Sequence, residues 1–292
     1  MKKLLIGMFA CMVLGGSLPA RAAMSDYFIQ PQQLKAHLKD YLVIDARGMT
    51  PYLEGHIEGA YVATWQEFSD IKGKPGAAQW ATLDDHAKLQ KEIRKLGISR
   101  DSKVVVYGRP GGWGEEGRIA WTLKTAGVDK VWILDGGYQY WKAHDYPTAH
   151  LPSFADQSQF KLGQLNPSMK IGSSTLQQQY KSFKIIDSRT SKEYQGAVLY
   201  HEARGGHLPG AVNLPFTQLL RPDGMIRSGK EIREMLGKLG IKPKDRVVTY
   251  CTAGIRSAYL ALALKAAGFE HVQNYVPSFY YWAAQKQLPL TA

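Results

Sequence analysis

One order of signals occurs twice in this 292-residue chain, and that repetition restricts its architecture more than any other feature. Leu42-Val43-Ile44-Asp45-Ala46-Arg47 in the first half is matched by Lys184-Ile185-Ile186-Asp187-Ser188-Arg189 in the second. Val104-Val105-Val106-Tyr107 is matched by Val247-Val248-Thr249-Tyr250, the Leu-Lys-x-Ala-Gly run ending at Gly127 by the one ending at Gly268, and Trp141 by Trp282. These four landmarks are offset by 142, 143, 141 and 141 residues. A near-constant offset over that many landmarks indicates a duplicated domain. The segment Gly55-His56-Ile57-Glu58-Gly59-Ala60 recurs as Gly206-His207-Leu208-Pro209-Gly210-Ala211, displaced by an insertion of about nine residues between Arg189 and His207. That insertion is expected as a surface loop beside the second domain's site.

Each half reads as α/β. The short β-branched runs 42–45, 104–107, 185–187 and 247–250 have the continuous apolar character of buried parallel strands. Helical patterns lie between them near 84–96, 116–126, 231–239 and 257–267. Gly127 and Gly268 stand just past the last helix of each set, where a left-handed cap is expected. The segment 148–168 is polar, holds two prolines and has little periodicity, so it reads as a linker. The expectation is two tandem domains, 23–147 and 169–292, each a mainly parallel sheet flanked by helices.

Residues 1–22 read as a secretory leader: Lys2 and Lys3, a short apolar run over 4–16, then Ala20 and Ala22 at small-residue positions. The apolar run falls well short of the roughly 20 residues needed to span a bilayer, so no stable membrane insertion is expected. The residues before Cys11 match a lipid-attachment site poorly. Cleavage after Ala22 removes Cys11, Lys2, Lys3 and Arg21. It leaves 34 basic and 25 acidic side chains, a net charge of +9, and a single cysteine, Cys251. One cysteine makes no internal disulfide, and about 270 residues supply a core without one. A lone thiol in an oxidising compartment is a liability unless it is used. The positive charge suggests anionic ligands, but the basic residues are scattered, and nucleic acid is not an expected partner.

Cys251 opens the connection Cys251-Thr252-Ala253-Gly254-Ile255-Arg256 between a strand ending at Tyr250 and a helix beginning near Ser257. In an open α/β sheet, ligands bind beyond the carboxyl ends of the strands. A tight loop there turns its N–H groups inward as a nest for an anion, and the following helix adds its positive end. A thiolate in that setting has a lowered pKa. Gly254 permits backbone angles closed to other residues, while Arg256 either braces the loop or meets an anionic substrate. The plainer alternative is a buried cysteine acting as a small hydrophobe.

Asp187-Ser188-Arg189 with Glu193-Tyr194, the run Gly206-His207-Leu208-Pro209-Gly210-Ala211-Val212-Asn213-Leu214-Pro215-Phe216, and the Cys251–Arg256 loop together resemble the tandem-domain rhodanese (thiosulfate/mercaptopyruvate sulfurtransferase) family. The likeness covers nearly all the chain after the leader. It implies a catalytic cysteine in the second domain, and with the leader the expectation is an exported bacterial member in the periplasm. The residue at the position of Cys251 in the first half is Gly108, so that half cannot form a persulfide. The resemblance implies a two-step reaction. Cys251 takes the outer sulfur of a small anionic donor such as thiosulfate, and the persulfide passes it to cyanide or a thiol. No metal or organic cofactor is needed. Arg189 matches an arginine that faces substrate in two-domain relatives; its alternative is an ion pair with Asp187 or Glu193. Thr252, Ala253, Gly254, Ile255 and Arg256 are expected to line the substrate position. Asp187, Glu193 and His207 are expected as structural support, His207 because His56 occupies the same motif where no cysteine exists.

Where the family's thiosulfate enzymes carry basic residues directly after the cysteine, this chain has Thr252-Ala253-Gly254-Ile255-Arg256, closer to single-domain rhodaneses. Other readings remain. A cysteine-arginine phosphatase or arsenate reductase needs five residues between Cys and Arg, and here there are four. A sulfur carrier serving an exported protein partner would use the same thiol, with the aromatic run Tyr275, Phe279, Tyr280, Tyr281 and Trp282 as a contact surface. The plainer reading of that run is helix packing. A tandem chain has an internal interface already, so a monomer is expected.

Overall fold

The computed structural model describes residues 22–291. The leader read over 1–22 lies, but for Ala22, outside the described residues. The first domain runs β1 (Phe28–Ile29), α1 (Pro31–Ala36), β2 (Leu42–Asp45), α2 (Met49–Glu54), β3 (His56–Ile57), β4 (Tyr61–Val62), α3 (His86–Lys95), β5 (Val104–Tyr107), α4 (Glu115–Thr125), β6 (Val131–Leu134), α5 (Gly137–Ala143) and β7 (Thr148–Ala149). The second runs β8 (Lys170–Ile171), α6 (Ser173–Gln178), β9 (Lys184–Asp187), α7 (Ser191–Tyr194), β10 (Val212–Asn213), α8 (Gly229–Lys238), β11 (Arg246–Tyr250), α9 (Arg256–Ala266), β12 (His271–Tyr275) and α10 (Ser278–Ala284).

The duplication is visible in the strand order. One five-stranded sheet is β1-β6-β5-β2-β4 and the other β8-β12-β11-β9-β10, all pairs parallel. The central strands β5 and β11 are covered on both faces, which is why they read as unbroken apolar runs. Gly127 and Gly268 take positive φ, +90° and +87°, just after α4 and α9, as the left-handed cap requires. Each domain also repeats one polar brace. The Tyr107 hydroxyl donates to Asp45 and accepts from the Ile57 N–H. Tyr250 does the same with Asp187 and Leu208.

The segment read as linker differs at its start. Thr148–Ala149 pair antiparallel with His56–Ile57 and so belong to the first domain. The remainder forms no strand or helix, yet it is laid along that domain: Phe160 and Leu165 are buried, and Arg94 donates to the Phe160 carbonyl.

The domains meet through α4 and α9. Both helices are almost wholly buried, which explains the apolar character of α9 on nearly every face; α4 buries Glu116 and Arg118 as well. Gly117 of α4 lies so close to Tyr259 of α9 that a Cβ there would overlap both backbone and ring. Gly117→Leu should therefore lower unfolding stability by about 1–3 kcal/mol through overpacking. Denaturant titration checks this, and an unchanged midpoint would mean that the helices are not packed backbone to backbone.

Candidate active site

The sulfur of Cys251 is set by the backbone around it. Cys251 follows β11, and the next residues wind back over its side chain: the Ile255 N–H donates to Sγ at 3.2 Å. Gly254, at φ +75°, makes that winding possible, because a Cβ would run into the Val276 carbonyl and the Arg118 guanidinium. From below, the Cys251 N–H donates to Ser278 Oγ (3.2 Å), and the Cys251 and Thr252 carbonyls accept from the N–H groups of Phe279 and Tyr280. Ser278 holds φ +54°, a conformation that disfavours a side chain; its first-domain counterpart is Gly137 at +55°. The hydroxyl that accepts the Cys251 N–H is thus present only in the domain that has the cysteine.

Burial alone would push the Cys251 thiol up. The Arg256 charge, the N–H and hydroxyl of Ser257 and the Ala253 N–H outweigh it and hold the pKa below the ordinary thiol value. Arg256 is itself buried and is held by a fork on Glu193: Nη1 to Oε2 at 2.8 Å and Nη2 to Oε1 at 2.7 Å. Nη2 also reaches Thr252 Oγ1 at 2.6 Å. Burial would raise the Glu193 carboxyl, but its bonds to Arg256 and Thr190 bring it down to about 2. Thr190 and Glu193 form a capping box at the start of α7, which fixes the carboxylate before Arg256 meets it.

Sequence reading missed a second arginine. Arg118 of the first domain is fully buried, and it donates across the interface to the Gly254 carbonyl (3.0 Å) while also holding Ser69 and the Ala81 carbonyl. Nothing local marks it, because its partners lie up to 136 residues away.

Thr252, Ala253, Ile255 and Arg256, with Cys251, line a cavity of about 150 Å³. Its walls are Trp65, Trp80 and Trp113 from the first domain, Tyr200 from the insertion, and Tyr280 from α10. Neighbouring rings stand nearly perpendicular: Trp65–Trp80 at 76°, Trp80–Tyr280 at 87°, Trp113–Tyr200 at 74°. Gly254 turns its carbonyl to Arg118 and Asn274 and does not line the space. Of the C-terminal aromatics, Tyr275, Phe279 and Trp282 are core residues, and Tyr280 faces the cavity. Neither His201 nor Glu202 lines it; the buried Glu202 carboxylate instead accepts the N–H groups of Leu199 and Tyr200.

Arg189 does not reach this cavity. It is wholly buried, forked onto Asp187 (Nη2 to Oδ2, 2.6 Å), bonded to the Gly206 carbonyl and stacked over Phe279. Arg47 makes the same fork with Asp45 in the domain without a cysteine. His207 lies with Nδ1 2.8 Å from the Tyr194 carbonyl and its ring on Tyr194, and His56 repeats both contacts with Tyr52. At Gly108, a Cβ would overlap the carboxyl of Glu116, which burial pushes up to about 8. The first domain has filled the nucleophile's place.

The rhodanese-like domain profile matches residues 30–144 and 173–285. This chain belongs to the rhodanese family. It is a tandem-domain member, and its general activity is rhodanese-type sulfur transfer. It is 30% identical over 281 residues to a probable 3-mercaptopyruvate sulfurtransferase of Pseudomonas aeruginosa, covering 91% of this chain and 98% of the relative. A putative thiosulfate sulfurtransferase of Haloferax volcanii is 30% identical, over 79% and 81% of the two chains. The crystal structure of SseA from Escherichia coli superposes with a TM-score of 0.74 at 25% identity, covering 85% of this chain and 97% of that one.

The depressed Glu193 carboxyl sets a pH dependence. A group held at about 2 when folded contributes stability above its ordinary value, 4.5, and that contribution disappears as pH falls from there through about 2. Glu193→Gln should cost a few kcal/mol at neutral pH, since it leaves Arg256 buried and unpaired. It should also flatten the acid limb of a stability–pH curve. An unchanged acid limb would show that the fork contributes nothing.

Proposed function

We propose that Cys251 carries a transferable sulfur as a persulfide. The observation that carries the reading is the Cys251 sulfur in the wall of an aromatic-lined cavity, with the Ile255 N–H on Sγ and the Arg256 charge holding the thiol pKa below its ordinary value. In the first step the thiolate attacks the outer sulfur of a donor. With thiosulfate, the sulfur–sulfur bond breaks, sulfite leaves with the bonding pair, and Cys251–S–S⁻ remains. In the second, cyanide or a thiolate attacks the outer sulfur and the Cys251 thiolate is regenerated. The loop N–H groups and Arg256 hold one negative charge before and after each step, so nothing need reorganise. Four residues between Cys251 and Arg256 make a loop small enough for a sulfur rather than a phosphate.

The lining bears on the donor. Its only cation among the described residues, Arg256, is already neutralised by Glu193. A small dianion would give up water for loop N–H groups alone, which is costly. An organic sulfur donor packs its body on Trp65, Trp80 and Trp113. We further infer export with cleavage after residue 22, on the strength of the leader pattern, and a monomer, because the tandem chain already has an internal interface. A sulfur-carrier role has a separate support, since the sulfur carrier protein TtuD of Thermus thermophilus is 28% identical over 92% of this chain. In a carrier, the persulfide would persist with small acceptors and discharge rapidly to one protein.

Intact-mass measurement of the full chain tests the proposal. Thiosulfate should add one sulfur, about 32 Da, which cyanide removes and Cys251→Ser abolishes. Benzenethiosulfonate should load Cys251 at lower concentration than thiosulfate does. No added mass from either donor on a reduced Cys251 contradicts the persulfide, and the opposite donor order contradicts the role given to the tryptophans.

A further inference from the structure

The first domain lost its nucleophile but kept a crevice. A cavity of about 450 Å³ opens beyond the carboxyl ends of its strands, bordered by Arg47, Glu54, Arg109, Tyr138, Gln139 and Lys142. Arg47 is the built part. Its side chain is only 9% exposed, and its plane is fixed 3.7 Å from the Tyr138 ring centre. Nε and Nη2 are committed to Asp45 and to the Pro51 and Gly55 carbonyls. Nη1 has no hydrogen-bond partner among the described residues, and Arg47 lines the cavity. In the second domain the counterpart atom, Arg189 Nη1, is also unpartnered but sealed from solvent. The duplicated arginine is therefore buried for support in one copy and open to a cavity in the other.

Two further cations reach the same space. Arg109 directly follows Gly108, at the position of Thr252 in the second domain, and Lys142 projects from α5. Neither cationic head forms an ion pair or hydrogen bond among the described residues. Glu54 is the one acid among the described lining residues and Asp45 already offsets Arg47, so Arg109 and Lys142 against Glu54 leave a net charge of +1. A fixed guanidinium edge with two mobile cations suits a small oxyanion, with in-plane N–H bonds from Arg47 and charge from the other two. We propose that this crevice binds a small oxyanion, a sulfur oxyanion or a phosphate, independently of the chemistry at Cys251.

The test uses the full chain carrying Cys251→Ser, titrated calorimetrically with thiosulfate, sulfate and phosphate at constant ionic strength set with chloride. One saturable site is expected. Affinity should fall at least about tenfold in Arg109→Gln/Lys142→Gln on the same background. Tightest binding by thiosulfate would identify a sulfur oxyanion as the source, and tightest binding by phosphate the other. The double variant with native Cys251 should load sulfur at the unaltered rate. No saturable binding above chloride, equal affinity in the double variant, or loading lost in parallel with binding would each overturn the proposal.

Discussion

The buried fork between Arg256 and Glu193 is the interaction on which the rest of the second domain depends. An anionic sulfur at the end of a covered strand needs a positive charge close behind it, and a buried positive charge needs its own partner. Arg256 supplies the first and Glu193 the second. Glu193 is placed by the Thr190 capping box, and Thr252 ties the loop to both members of the fork. The chain of support then leaves the domain, because Arg118 holds the Gly254 carbonyl from α4. Removing either member of the fork leaves the other as a buried, unpaired charge, while Asn274 shares the Gly254 carbonyl with Arg118.

The two copies show how one fold divided its tasks. The Asp–Arg–Tyr brace and the histidine stacked on a tyrosine are the same in both, so they are part of the duplicated fold. The differences cluster at the carboxyl ends of the central strands. Gly108 stands for Cys251 with Glu116 in the vacated space, Gly137 for Ser278, and Arg109 for Thr252. The first domain gives three tryptophans to its partner's cavity and keeps a basic crevice of its own.

Much of this was legible in the sequence because it is local. The strands at 42–45, 104–107 and 247–250, the glycine caps at 127 and 268, and the strand–Cys–helix loop each follow from short-range pattern. The comparison between halves that marked His207 as structural applies equally to Arg189, whose twin Arg47 has no cysteine nearby; read that way, the Asp187 fork was foreseeable. Trp65, Trp80, Trp113, Tyr200 and Arg118 were not. They come to the cavity from separate elements, and no spacing connects them. The strand β7 was hidden for the same reason, being two residues long with a partner some 90 residues away.

The central claim is that sulfur rests on the protein between donor and acceptor. Initial rates measured over a grid of donor and cyanide concentrations test it most directly. A persulfide intermediate predicts parallel double-reciprocal lines, since donor product leaves before the acceptor enters. Lines that intersect, with transfer requiring both substrates bound together, would contradict it.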